Sequence, residues 1–159
     1  MSKLIEVLTK DGSYSLRSVS FQDNFHSLLG ALEETKSKFT TTSNLQRFKR
    51  KSLNVLDICF GLGYNSASLL DELIKQTSYL NLYALEIDKK PLKYSLRNES
   101  FLKLWDPKVK NIFESLYRKD YFEDQFFKCS ILWGDARKKI NIIPSSMKFD
   151  LIYLEKPSK

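Results

Sequence analysis

The stretch VLDICFGLGYNS, Val55 to Ser66, constrains the fold more than any other part of the chain. An apolar run with one acid in it, Asp57, breaks into Gly61-Leu62-Gly63. Apolar residues then recur at helical spacing through Ala67, Leu70, Leu73 and Ile74. A buried strand that turns through glycines into a helix opens a βα unit. Glycine is needed where the backbone turns tightly or where a ligand must lie against it, and the helix beyond presents free N–H groups.

The rest of the chain extends the pattern. Hydrophobic residues make up 42% of 159, enough for a core in one globular unit. Leu4–Thr9 and Tyr14–Val19 read as strands of a β-hairpin, with Asp11-Gly12 at its turn. Phe25, Leu28, Leu29, Leu32 and Phe39 follow at roughly helical spacing, and a short helix is expected over Leu45–Lys49. From Leu53 onward strands and helices alternate. Strands are expected at Leu53–Ile58, Tyr79–Ile87, Lys128–Trp133 and Lys148–Leu154. Helices are expected at Tyr64–Ile74, Lys89–Leu104, Pro107–Phe127 and Ala136–Ile140. Alternation of this kind implies parallel strands with right-handed crossovers, so the fold class is α/β. The division expected is an N-terminal hairpin and helical extension over 1–51, then an α/β unit over 52–159.

A doubly wound sheet binds its ligand at the carboxyl ends of its strands. Gly61-Leu62-Gly63 stands at the first such end, Glu86 and Asp88 at the second, and Gly134-Asp135 at the third. Glu86 lies 23 residues past Gly63, near the roughly 20 residues expected of an acid that accepts ribose hydroxyl protons. Asp135 is placed to accept from an adenine amino group. Singly, each has a structural reading: a tight turn, a solvated strand end, a helix cap. Their order describes a nucleoside-cofactor site. Gly61-x-Gly63-x-x-Ser66 nearly matches a dinucleotide fingerprint, with Ser66 for the third glycine, so NAD competes. Asp57 argues against it, because an acid just before the loop suits the amino group of a methionine-bearing cofactor.

The run from Leu56 through Asp57 to Gly63 resembles the first motif of class I S-adenosylmethionine-dependent methyltransferases, with Cys59 where most carry glycine. Phe60, Gly61, Gly63 and Asn65 further match the loop of MnmC-type tRNA-modification methyltransferases. Gly30, Leu32, Glu33, Glu34 and Thr35 match that family's Gly-x-x-Glu-Glu segment. The resemblance runs from about Asp11 to Leu154 and implies a Rossmann-like fold. Its cofactor-binding half would carry parallel strands in the order 3-2-1-4. It implies S-adenosylmethionine as cofactor, held by Asp57, Phe60, Gly61, Gly63, Asn65, Glu86 and Asp135. The implied reaction methylates the exocyclic amine of 5-aminomethyl-(2-thio)uridine at a tRNA wobble position, with tRNA held through its anticodon region. The family's catalytic aspartate after the fourth strand is replaced by Glu155, and its following phenylalanine is missing. The chain is therefore expected to be C-terminally truncated, with an exposed fourth-strand edge open to self-association or to completion by another chain. An NAD-binding oxidoreductase fragment and a catalytically inactive cofactor-binding module are the competing readings.

A net charge of +7 suits an acidic partner such as RNA. Arg47–Lys51 (RFKRK) precedes the first strand of the α/β unit and so belongs to the end of the sheet away from the cofactor. Lys89, Lys90 and Arg137–Lys139 follow strand ends and are the better phosphate contacts. No apolar run reaches membrane-spanning length and the N-terminus lacks a signal-peptide core, so a reduced cytoplasm is expected. Cys59 and Cys129 lack zinc-site spacing, and no metal is expected. The sole histidine, His26, reads more readily as a packed residue than as a base.

Overall fold

The computed structural model describes residues 3–155. Its centre is a five-stranded sheet ordered β6-β7-β5-β4-β8. Here β4 is Ser52–Ile58, β5 Tyr79–Glu86, β6 Tyr121–Glu123, β7 Phe127–Trp133 and β8 Leu151–Leu154. Strands β7, β5, β4 and β8 are mutually parallel. They stand in the 3-2-1-4 order of a Rossmann-like cofactor-binding half, while β6 adds an antiparallel edge.

The parallel strands are rich in leucine because both faces of the sheet are covered, though unequally. On one face Leu53, Val55, Leu82 and Ala84 pack against α3 (Tyr64–Gln76) and α6 (Pro107–Lys119) in the main core. Helix α6 buries Val109, Ile112, Phe113 and Leu116, the i, i+3, i+4, i+7 stripe of an amphipathic helix. It starts at Pro107 with the Asp106 carboxylate accepting from the Lys108 N–H at 2.8 Å. It ends where Asp120 turns left-handed, with Arg118 and Lys119 in its last turn. On the other face Leu56, Leu85 and Ile143 form a small cluster with Met147 and Phe149 against it.

Three of the expected helices are bounded differently, and the strand expected over Lys148–Leu154 begins only at Leu151. The region read as one helix over Pro107–Phe127 stops at Lys119, because the left-handed Asp120 turns the chain back to pair β6 with β7. Lys89–Leu104 is two helices, α4 (Lys90–Ser95) and α5 (Glu99–Leu102), the second capped by Asn98 accepting from the Phe101 N–H at 2.9 Å. The helical spacing read from Phe25 is realised only from Ala31 onward. The helix runs α1 (Ala31–Thr35), a π-helical turn over Lys36–Thr40, then α2 (Thr41–Ser43).

The N-terminal segment forms a separate antiparallel sheet, β1 (Leu4–Leu8), β2 (Tyr14–Ser18) and β3 (Asp23–Asn24). The hairpin turn is a loop of five residues, Thr9–Ser13, organised by Asp11. Its carboxylate accepts from the Thr9 hydroxyl, the Ser13 N–H and the Ser13 hydroxyl at 2.6–2.9 Å. The same loop caps α1. The Ser13 hydroxyl oxygen accepts from the Ala31 and Leu32 N–H groups at 3.1 Å, and Asp11 accepts from Glu33 N–H at 3.0 Å. Gly30 is required because a Cβ there would lie 2.2 Å from the Asp11 carboxylate. The glycine of the Gly-x-x-Glu-Glu segment thus has a packing explanation. Strand β8 is an edge strand among the described residues, with Ile152 and Leu154 exposed. Among the described residues no helix is long and apolar enough to cross a membrane. Nor is any group of three His, Cys, Asp or Glu placed to hold a metal.

Candidate functional site

The carboxyl ends of β4, β5, β7 and β8 converge on one cavity, and that of β8 also borders a second that shares a wall with it. The first, about 380 Å³, is lined by Cys59 and Gly61 after β4, Glu86 at the end of β5, Asp135 and Arg137 after β7, and Glu155 after β8. Leu4, Ser18, Phe21 and Phe25 of the N-terminal segment close it on the outside. The second, about 470 Å³, is lined by Asp23, Glu34, Lys38 and Phe39 on the N-terminal side. Phe25, His26 and Glu155 belong to both walls. Both volumes lie within the roughly 300–1,000 Å³ typical of small-ligand sites.

The glycine loop is tied to β5 through one carboxylate. Glu86 accepts from the Gly61 N–H at 2.7 Å through one oxygen, and from the Ile87 and Asp88 N–H groups at 2.7 and 3.1 Å through the other. Burial raises the Glu86 pKa and these three hydrogen bonds oppose it. The Cys59 and Phe60 N–H groups both donate to the Leu85 carbonyl. Cys59 has φ +67°, a left-handed conformation that explains why glycine suits this position. Its thiol is pushed up to about 11 by burial and by nearby carboxylates, so it stays protonated at neutral pH.

Gly61 and Gly63 have different reasons to be glycine. A Cβ on Gly61 (φ +57°) would meet nothing closer than Phe25, 3.6 Å away, so the cavity side of this residue is open. A Cβ on Gly63 (φ +85°) would lie 2.6 Å from the Phe113 ring and 2.8 Å from Phe60. Gly63 therefore serves helix packing and is absent from the cavity wall, as is Phe60, which is buried against Phe113 with ring centroids 5.3 Å apart.

Asp57 also lies behind the wall. It is fully buried, and one oxygen accepts from the Ser66 hydroxyl at 2.5 Å, which braces β4 to α3 across the loop. The residue at the third-glycine place of a dinucleotide fingerprint is thus a strand-to-helix brace. Burial, with Glu86 adding to it, pushes Asp57 up to about 7 despite the serine bond. Its other oxygen and the Asn65 side-chain oxygen are buried with no partner among the described residues. Asn65 donates to Glu155 across 3.4 Å and likewise sits outside the cavity lining.

Asp135 reaches the cavity but is held by its own helix. Its carboxylate caps α7 (Ala136–Lys139) by accepting from the Arg137 N–H at 3.0 Å, and it pairs with the Arg137 guanidinium at 2.6 Å. The arginine keeps it ionised, down at about 2. At β8, Glu155 is pushed up to about 8, chiefly by burial and then by Asp57 and Glu34. Its nearest polar neighbour besides Asn65 is His26, whose Nε2 is 3.6 Å away.

Of the residues named from the sequence, Gly61, Glu86, Asp135 and Glu155 meet in one cavity, and Asp57, Phe60, Gly63 and Asn65 support it from behind. Sequence reasoning passed over Phe25 and the wall role of His26, whose backbone follows the two-residue strand β3 with no periodic signal. Arg47–Lys51 precede β4, at the opposite end of the sheet.

No family model matches the chain. The chain is 27% identical over 157 residues to an uncharacterized protein of Methanocaldococcus jannaschii, a match covering 92% of this chain and 40% of that protein. Among solved structures, the crystal structure of MnmC2 from Aquifex aeolicus superposes with a TM-score of 0.79 at 27% identity. This chain has an MnmC2-like fold. The superposition covers 99% of this chain and 50% of MnmC2, so the chain spans about half the length of MnmC2 and less of the archaeal protein. The MnmC2-like sheet carries its glycine loop, Glu86 and Asp135 at three adjacent strand ends, the arrangement of a methyltransferase-like fold.

Proposed function

We propose that the chain binds S-adenosylmethionine in the first cavity and transfers its methyl group to an amine held in the second. The acceptor in this reading is the exocyclic amine of 5-aminomethyl-(2-thio)uridine at the wobble position of a tRNA. The observation that carries it is the shared wall. Glu155 and His26 stand between a cavity walled by Gly61, Glu86 and Asp135 and a second cavity with its own charged lining.

The residues present suit the cofactor. Gly61 leaves room for a ligand against the backbone, and Glu86 presents a carboxylate already fixed by three N–H groups to ribose hydroxyls. Asp135 offers an acceptor to the adenine amino group. Asp57 and Asn65 lie behind this wall, each with one side-chain oxygen unpartnered among the described residues, and support the loop instead of lining the cavity. When bound, S-adenosylmethionine supplies an electrophilic methyl on a sulfonium.

An amine must be neutral to present its lone pair. Glu155, ionised, takes the proton of an arriving ammonium, and its raised pKa makes it a stronger base than an ordinary carboxylate. Holding donor and acceptor in line across one wall supplies the rest of the acceleration. Lys89, Lys90 and Arg137–Lys139 lie on the same end of the sheet and serve the tRNA phosphates in this reading.

Calorimetry with S-adenosylmethionine and, separately, NAD tests the cofactor. Heat from NAD with none from S-adenosylmethionine would overturn the proposal in favour of an oxidoreductase fragment. Transfer of labelled methyl to tRNA lacking the modification tests the reaction, and cofactor binding without turnover would reduce the chain to a binding module.

A further inference from the structure

We propose that His26 is the tautomeric partner of Glu155. Its imidazole stays neutral, carries its single proton on Nδ1 while Glu155 is protonated, and carries it on Nε2 when Glu155 is ionised. The placement is specific. His26 is buried between Ser15 of β2 and Glu155 after β8, with Nδ1 3.1 Å from the Ser15 hydroxyl and Nε2 3.6 Å from Glu155 Oε1. The Tyr64 ring closes a further side, edge-on at 5.0 Å. Ser15 is fully buried, and among the described residues its hydroxyl meets only this imidazole.

A neutral imidazole has one donor and one acceptor nitrogen, and a hydroxyl can be either. Two arrangements follow once the 3.6 Å between Nε2 and Glu155 Oε1 closes to hydrogen-bond distance. In the first, the Glu155 O–H donates to Nε2 and Nδ1–H donates to the Ser15 oxygen. In the second, Nε2–H donates to the Glu155 carboxylate and the Ser15 O–H donates to Nδ1. The second has one proton fewer: the carboxyl proton has left through the cavities that Glu155 lines, and the single imidazole proton has passed from Nδ1 to Nε2. Glu155 and both imidazole nitrogens keep a partner in either arrangement, and only the Ser15 O–H lacks an acceptor among the described residues in the first.

The charges around the pair favour this sequence of events. Glu155 faces Asp57 of β4, Glu34 of α1 and Glu86 of β5, all acids, with Lys38 of the π-helical turn as a cation beside it and Arg137 on the same cavity wall. The Cys59 thiol also adjoins it. His26 faces Glu34 besides Glu155. Burial holds the imidazole down at about 4, so it is neutral across the range where Glu155, pushed up to about 8, changes state.

The purpose assigned to the switch rests on the reading of Glu155 as the acceptor of the substrate's proton, but its test needs neither cofactor nor tRNA. His26 is the only histidine of the chain, so ring-¹⁵N-histidine labelling of the full protein gives one imidazole. Titrated from pH 6 to 9.5, its two nitrogens should exchange their protonated and unprotonated shifts, with a midpoint matching the Glu155 side-chain carboxyl ¹³C signal. Glu155→Gln should abolish the pH-dependent exchange, because an amide does not titrate and can pair with either tautomer. Ser15→Ala should raise the Nε2–H fraction at low pH. An imidazole of fixed tautomer in the unaltered chain, or one that becomes doubly protonated above pH 6, overturns the proposal without any variant. Exchange that persists in Glu155→Gln overturns it as well, by giving the titration to another acid. Failure of S-adenosylmethionine to bind would leave this titration intact and defeat only the functional reading.

Discussion

Two buried glutamates end two strands of the same sheet, and they are held in opposite ways. Glu86, at the end of β5, is gripped by three backbone N–H groups from two loops. Glu155, just past β8, has only side chains near its carboxylate, Asn65 at 3.4 Å and His26 at 3.6 Å. Backbone donors are fixed in direction and favour the ionised form, so Glu86 is suited to a permanent geometric task. Side-chain partners can rotate or change tautomer, so Glu155 is suited to gaining and losing a proton. Burial pushes both pKa values upward; at Glu86 three backbone hydrogen bonds oppose it, whereas at Glu155 neighbouring acids add to it and carry the value to about 8.

Five substitutions separate the two roles. The largest effect is expected at Glu155. Glu155→Gln should lower methyl transfer by about 10²–10⁴-fold, the usual worth of a positioned general base, while cofactor affinity measured by calorimetry changes by less than about twofold. The same variant tests the electrostatics. Asp57 and Glu155 are held above their ordinary values, so the folded state binds more protons than the unfolded state up to about pH 7 and 8. Stability must then fall as pH rises through that range, by up to about 1.4 kcal/mol per pH unit for each proton. His26, held down at about 4 from an ordinary 6.5, is still partly protonated in the unfolded state at pH 6.5, opposes the decline there, and contributes nothing above about pH 7.5. Urea melts between pH 6.5 and 8.5 should show this decline, and Glu155→Gln should flatten its upper part.

Glu86→Ala should do the reverse. It strands three N–H donors and unties the glycine loop, for an expected loss of about 2–4 kcal/mol in stability and on the order of 100-fold in cofactor affinity. Retained affinity would end the distinction between the two acids.

The glycines sharpen it further. Gly63→Ala should cost about 3 kcal/mol in a urea melt through overpacking against Phe113 and left-handed strain. Gly61→Ala should cost only about 1 kcal/mol of stability, because Phe25 leaves room, and should act instead on cofactor binding. Equal losses in stability at the two positions would break the assignment.

The smallest effect is at Cys59, between the two acids. Cys59→Gly removes left-handed strain but adds unfolded-state entropy, for a net gain of roughly 0.5 kcal/mol in thermal unfolding. Cofactor affinity should rise about threefold if the side chain crowds the cavity it lines.

The parallel sheet was legible because its strands are continuous apolar runs ended by turn residues, a signal that burial on both faces makes strong. The meeting of Gly61, Glu86 and Asp135 followed from topology alone, since parallel strands bring their carboxyl ends together. What escaped was set by tertiary partners. Gly61 and Gly63 look alike in sequence, and only Phe113, fifty residues on, separates their functions. Asp57 was expected at the ligand, but Ser66 draws one oxygen into a brace behind the wall. Asp120 ends α6 by a left-handed turn that propensity does not foresee, and the aromatic run beyond it becomes an edge strand. His26 acquires its role from Ser15 and Glu155, which lie on either side of it in the chain at unequal distances.

That last contact has a consequence for how the chain folds. The shared wall joins a residue from the first strands to one from the last, so it closes only after every intervening βα unit is in place. Long loops are slow to close, and contacts between distant segments form late. The junction of the two cavities should thus be among the last features to consolidate and among the first to open in local unfolding. The His26 imidazole signal then doubles as a gauge of whether the whole chain has folded.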